Sequence, residues 1–183
     1  MSALEITPGL WRWTAPHPDW TPQEDWGERV GCALYELPEA AVLFDPVLPR
    51  EDREGFLRWL DARVSGRPVS VLTTIRWHRR DRSELTERYR TGIGRARGAL
   101  PEGVVPRWLR GAGEVVFWLP AAQTLIVGDR LLGVPGAGLQ LCPESWLKQE
   151  RARLAAGAVV CSLEADTGDA TSAPVLWAPA SFV

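Results

Sequence analysis

Residues 76–82, Arg76-Trp77-His78-Arg79-Arg80-Asp81-Arg82, hold the densest chemistry in the chain. They follow the apolar run 69–75, which reads as a buried strand of the parallel-sheet type. One imidazole and one nearby carboxylate can ligate a metal or move a proton. Four guanidinium groups can hold a phosphate or carboxylate through paired N–H donors. The plainer reading makes His78 a hydrogen-bonded loop histidine, and Arg76, Arg79, Arg80 and Arg82 a solvated face paired with Asp81 and Glu84. Asp129 closes the run 124–128 and is a further candidate ligand, or a carboxylate that accepts backbone N–H bonds at a strand end. Asp45 before Pro46 suits a turn. The chain has only two histidines, His17 and His78.

Composition limits what these residues can serve. The chain has 183 residues, 45% apolar and 24% charged, the balance of one soluble domain. A net charge of −2 gives no general pull on nucleic acid or an anionic membrane. No apolar run approaches the roughly 18 residues of a transmembrane helix, and residues 1–8 carry no basic or apolar leader. Cys32, Cys142 and Cys161 lie far apart without zinc-pair spacing, which suggests buried, reduced thiols in a cytoplasm. Ten Trp are spread along the chain and read as packing rather than as one groove.

The elements that position these residues follow from periodicity. Residues 5–14 read as a first strand, and 15–29, rich in Pro and Trp, as a long loop. Residues 30–37 and 40–44 read as a hairpin. A helix is predicted over 50–64, with Phe56, Leu57, Leu60 and Val64 as its apolar stripe and Gly66 and Pro68 ending it. A second helix is predicted over 83–90, with Ser83 as N-cap. Residues 91–112 show little period. Residues 114–119 and 124–128 read as a hairpin over Pro120–Gln123. A Gly-rich loop at 133–138, a helix at 144–156 and a strand at 158–163 complete a single domain over 1–163. Residues 164–183 read as an irregular tail. The order predicts a mixed α/β layered fold.

Five segments in this order resemble the metallo-β-lactamase superfamily over roughly residues 5–147. They are Ile6-Thr-Pro-Gly-Leu-Trp11, Val30-Gly-Cys-Ala-Leu-Tyr-Glu36, Ala41-Val-Leu-Phe-Asp45-Pro46, Val71-Leu-Thr-Thr74 and Leu125-Ile-Val-Gly-Asp129-Arg-Leu131. The resemblance implies an αββα sandwich of two mixed β-sheets flanked by helices. It implies one or two metal ions at one edge and hydrolysis by metal-bound hydroxide. It also implies that His17 lies in a loop draped near that edge, where a plain surface loop is the alternative.

The ligand positions depart from that pattern. Where the family has His-x-His-x-Asp-His, alignment on His78 puts Arg76 at the first His, Arg80 at the Asp and Asp81 at the last His. The stretch Arg110–Glu114 at the start of 114–119 holds no His, and neither does Cys161–Glu164 at the end of 158–163; only the metal-bridging Asp matches, at Asp129. The resemblance implies roughly five histidines for a two-metal site of the family's type, and the chain has two. The expectation is a non-catalytic or binding relative without a cofactor, with Arg76, Arg79, Arg80 and Arg82 facing a small anionic ligand. One alternative is a hydrolase with a rebuilt mononuclear zinc site on His78, Asp81 and Asp129. The other is a structural or interaction module. From Lys148 onward the likeness fades, which suits divergence, truncation or a frameshift.

Overall fold

A computed structural model describes residues 3–24, 26–91, 100–109, 113–134, 138–142 and 175–177. They divide into two compact units. The first takes the chain up to Thr73 together with Trp77–Glu102. The second takes Thr74–Arg76 and Gly103–Ala180.

The first unit is a five-stranded sheet in the order β1-β2-β3-β4-β5. Its strands are β1 (Leu4–Thr7), β2 (Leu10–Pro16), β3 (Arg29–Glu36), β4 (Ala41–Phe44) and β5 (Val69–Leu72). Neighbours run antiparallel except β4 and β5, which are parallel and connected through helix α1 (Arg53–Val64). The single strand predicted at 5–14 is two strands. Gly9, at φ +78, breaks the run, and its carbonyl accepts the Glu36 N–H. A left-handed φ is open to glycine at little cost, so the chain turns there instead of continuing.

β3 is buried from Val30 to Tyr35 and β4 throughout, as a near-continuous apolar run requires when both faces are covered. α1 begins at Asp52, whose carboxylate accepts the Gly55 N–H, an N-cap worth about 1 kcal/mol. It buries Phe56, Leu60 and Val64 against Trp13, Cys32, Leu43 and Val71, and Leu57 packs at the edge. A second helix, α2 (Arg82–Arg88), adds Leu85 to this core. Ser83 is not its N-cap. Asp81 holds that position, and its carboxylate serves a different amide. The loop after β2 folds on itself. The Trp20 indole N–H donates to the Trp26 carbonyl at 2.8 Å, and the His17 ring meets Trp26 edge-on, centroids 5.1 Å apart.

The second unit holds a four-stranded sheet, order β11-β8-β7-β6, and a two-stranded sheet, β10-β9. Strands β7 (Glu114–Leu119) and β8 (Thr124–Ile126) form the predicted hairpin over a 3₁₀ turn, Pro120–Ala122. Further strands fall where none was predicted. β6 (Val105–Leu109) lies in the aperiodic stretch 91–112 and pairs with β7. β9 (Leu131–Val134) and β10 (Gly138–Leu141) flank the expected Gly-rich loop as a hairpin. β11 (Val175–Trp177), inside the stretch read as an irregular tail, pairs in parallel with β8. Each is short, and pairing rather than an alternating pattern defines it. The helix predicted at 144–156, the strand at 158–163 and Cys161 lie outside the described residues. Among the described residues, no helix is long and apolar enough to cross a membrane.

Candidate functional site

Two loops of the first unit leave the C-terminal ends of the parallel strands β4 and β5, the end at which open α/β sheets gather their ligands. β4 ends at Phe44, paired with Leu72 of β5, and the Asp45 N–H donates to the Leu72 carbonyl at 3.0 Å. Asp45 then turns at φ +45, a left-handed conformation that Asp tolerates better than most residues. The turn aims its carboxylate at the second loop. Asp45 Oδ2 lies 3.0 Å from His78 Nδ1, and both side chains are buried. An ionised carboxylate only accepts, so this contact holds the imidazole proton on Nδ1 and fixes the ring.

Arg80, also left-handed at φ +37, turns back into the fold. Its Nη1 donates to the carbonyls of Asp45 (3.0 Å) and Gly31 (3.3 Å). Asp81 Oδ2 accepts the Leu48 N–H at 2.6 Å, and the Asp81 N–H donates to the Pro46 carbonyl at 3.3 Å. Below them the Cys32 thiol accepts the Val47 N–H at 3.2 Å, and burial pushes its pKa up to about 12. The loops at 45–48 and 78–81 are therefore stitched together by side chains from each.

Arg79 points outward and is exposed. With Arg82, Ser83, Thr86, Glu87, Arg90 and Thr91 it lines a groove of about 520 Å³ along α2. Its lining holds three arginines and one acidic residue. Arg76 is exposed and belongs to the second unit.

Asp129 is in the second unit, in the turn after β8. Its N–H donates to Glu114 Oε2 at 3.1 Å. Glu114 does not stand out from sequence, where the notable feature of its surroundings is the missing His. Its signal is a lone charge opening an otherwise apolar strand, Glu114-Val-Val-Phe-Trp-Leu119. Among the described residues, no three His, Cys, Asp or Glu side chains gather as a metal site would require.

No protein-family model and no curated protein sequence matches the chain. Solved structures do. The DIM-1 metallo-β-lactamase aligns at 12% identity, covering 99% of this chain and 89% of that chain, with a TM-score of 0.60. A metallo-β-lactamase of NDM and FIM-1 type from Erythrobacter litoralis, solved in its mono-zinc form, aligns at 15% identity over 98% of this chain and 88% of that chain, with a TM-score of 0.60. A metallo-β-lactamase family protein from Thermus thermophilus aligns at 18% identity over 98% and 75%, with a TM-score of 0.52. The chain has the metallo-β-lactamase fold.

The metallo-β-lactamase fold carries an expectation of zinc. The alignment on His78 sets Arg76 and Arg80 against a His and an Asp of the family's motif, and Arg80 donates inward to two carbonyls. The Asp45 contact on His78 Nδ1 leaves Nε2 as that ring's one donor atom for a metal, and Asp81 Oδ2 already accepts the Leu48 N–H. Cationic donors cannot coordinate a dication and oppose it by repulsion. With arginines at two of its donor positions, this set does not fit a two-metal centre.

Proposed function

We propose that the protein is a binding relative of the metallo-β-lactamase-fold hydrolases that takes a small oxyanion, a phosphate or carboxylate group, on the Arg79–Arg82–Arg90 face. The observation that carries this reading is the groove along α2, whose lining holds Arg79, Arg82 and Arg90, the hydroxyl residues Ser83, Thr86 and Thr91, and one acidic residue, Glu87. Guanidinium forks match an oxyanion's geometry, and the Ser83 hydroxyl can add a donor, whereas the Thr86 hydroxyl donates to the Arg82 carbonyl at 2.6 Å. The inward bonds of Arg80 support a different role for that residue: it holds the loop from which Arg79 projects.

Thermal unfolding in phosphate, compared with chloride at equal ionic strength, tests the reading. A ligand at ten times its Kd adds about 1.4 kcal/mol of stability by mass action. Phosphate should raise the Tm of the wild type and not that of the Arg79→Ala/Arg82→Ala double variant. Equal shifts in both proteins, or none in either, would sink the proposal. Elemental analysis after purification without added metal supplies the second check: stoichiometric zinc, iron or manganese would favour the hydrolase reading instead.

A further inference from the structure

We infer that the backbone amides of Gly128, Asp129 and Arg130 form an anion-binding nest whose occupant is the protein's own Glu114 carboxylate, which makes Glu114 the positioning residue for the Asp129 turn. The inference concerns the second unit and stands apart from the groove along α2. Glu114 is completely buried. Its Oε1 accepts the Gly128 N–H at 2.9 Å, and its Oε2 accepts the N–H groups of Asp129 (3.1 Å) and Arg130 (3.0 Å). Successive amides that converge on one point make a concavity for an anion. A buried carboxylate is tolerated only where such charge-assisted bonds replace its hydration.

The surroundings fit an occupant seated tightly. A Cβ on Gly128 would lie 2.9 Å from Glu114 Cδ and 2.7 Å from Thr74 Oγ1, so the carboxylate packs directly against the Gly128 Cα. The Glu114 backbone is fixed from two sides, by pairing with Leu109 of β6 and by a bridge to Ile75. The far side of the turn is anchored where the Cys142 N–H donates to the Arg130 carbonyl at 3.0 Å. All three amides converge on one carboxylate, so their direction, and with it the place of Asp129, follows Glu114.

The test uses the full chain and two variants. Glu114→Ala vacates the nest, and formate or acetate serves as the probe that refills it. Formate at high concentration should raise the Tm of Glu114→Ala several-fold more than that of the wild type, both measured against chloride at equal ionic strength. Glu114→Gln keeps the shape, so it covers the case in which the alanine variant does not fold. Its amide opposes one of the converging N–H groups, and exchange of the Gly128, Asp129 and Arg130 amides should accelerate about ten-fold beyond that of the β7 core amides. Equal formate effects in Glu114→Ala and wild type, or uniform acceleration of all amides in Glu114→Gln, would overturn the inference and leave Glu114 a general stabiliser of the strand end.

Discussion

His78 Nδ1 and Asp45 Oδ2 meet at 3.0 Å across 33 residues of chain, with both side chains buried. The contact joins the turn after β4 to the loop after β5. It places the imidazole of His78 under the control of a carboxylate that the fold holds in a left-handed turn. Buried polar groups that lose their partner carry the full desolvation penalty, so the pair is coupled to the stability of both loops.

Three substitutions at Asp45 separate that bond from the backbone strain. Asp45→Asn keeps an acceptor oxygen and tolerates φ +45, and should cost about 1 kcal/mol. Asp45→Gly relieves the backbone but orphans His78. Asp45→Ala does both kinds of damage and should cost about 2–4 kcal/mol. Urea denaturation reads the order Asn, Gly, Ala from mildest to worst. Equal losses for Asn and Ala would show that the hydrogen bond contributes little.

The two helices of the first unit are clasped at the surface. Arg88 Nη2 donates to Asp61 Oδ2 at 2.5 Å and Nε to Oδ1 at 3.0 Å, and the Tyr89 hydroxyl donates to Oδ1 at 2.9 Å. The Arg88 hydrogen bonds hold the Asp61 pKa below its ordinary value. A depressed carboxylate adds stability above its unfolded pKa of about 4 and loses it as the pH falls through the folded value. The side chains are 39% and 41% exposed, so solvent screens the pair and Asp61→Asn should cost only about 0.5 kcal/mol at pH 7. Stability curves of variant and wild type should converge below pH 4. A difference that persists at pH 2 would assign the effect to packing instead.

Gly128 and Gly66 offer a contrast between crowding and conformation. A Cβ at Gly128 meets Thr74 Oγ1 at 2.7 Å, whereas one at Gly66 meets nothing within 4 Å but must adopt φ +74. Gly66→Ala should therefore cost about 1 kcal/mol, from the backbone alone. Gly128→Ala overpacks a buried carboxylate and should cost about 2–3 kcal/mol. Thermal unfolding of the two variants checks the order, and a Gly128→Ala protein as stable as the wild type would contradict the close packing at that turn.

Much of the first unit was legible because its elements carry strong patterns. The α1 stripe of Phe56, Leu60 and Val64 repeats at helical spacing, and β3 and β4 are apolar over most of their length. The strands missed were those without a pattern of their own: β6 contains Pro106 and Arg107, and β9 and β10 contain Gly133 and Gly138. In the loop 76–82, residue types gave the expectation of missing donors, from Arg76 and Arg80 set against a His and an Asp by the alignment on His78. The inward aim of Arg80 was not legible. It depends on a left-handed backbone at that residue and on carbonyls 35 and 49 positions away. Glu114 was hidden for the same reason, because its three partners come from a turn 14 to 16 residues further on.

The Cys32 thiol gives the last test. It is completely buried beneath the Asp45 turn and accepts the Val47 N–H. Burial raises its pKa to about 12, with Arg80 opposing the shift. At pH 8 about one molecule in ten thousand then carries the reactive thiolate. Iodoacetamide at pH 8 should leave Cys32 unlabelled in the native protein and modify it fully in urea, as peptide mass mapping can show. A thiol pKa raised on folding adds stability below the unfolded value of about 8.5 and loses it as pH rises toward the folded value. Wild type should therefore weaken relative to Cys32→Ser between about pH 8.5 and 11. Prompt native-state labelling would mean that the two stitched loops open readily, and that the bonds of His78, Arg80 and Asp81 do not hold them closed.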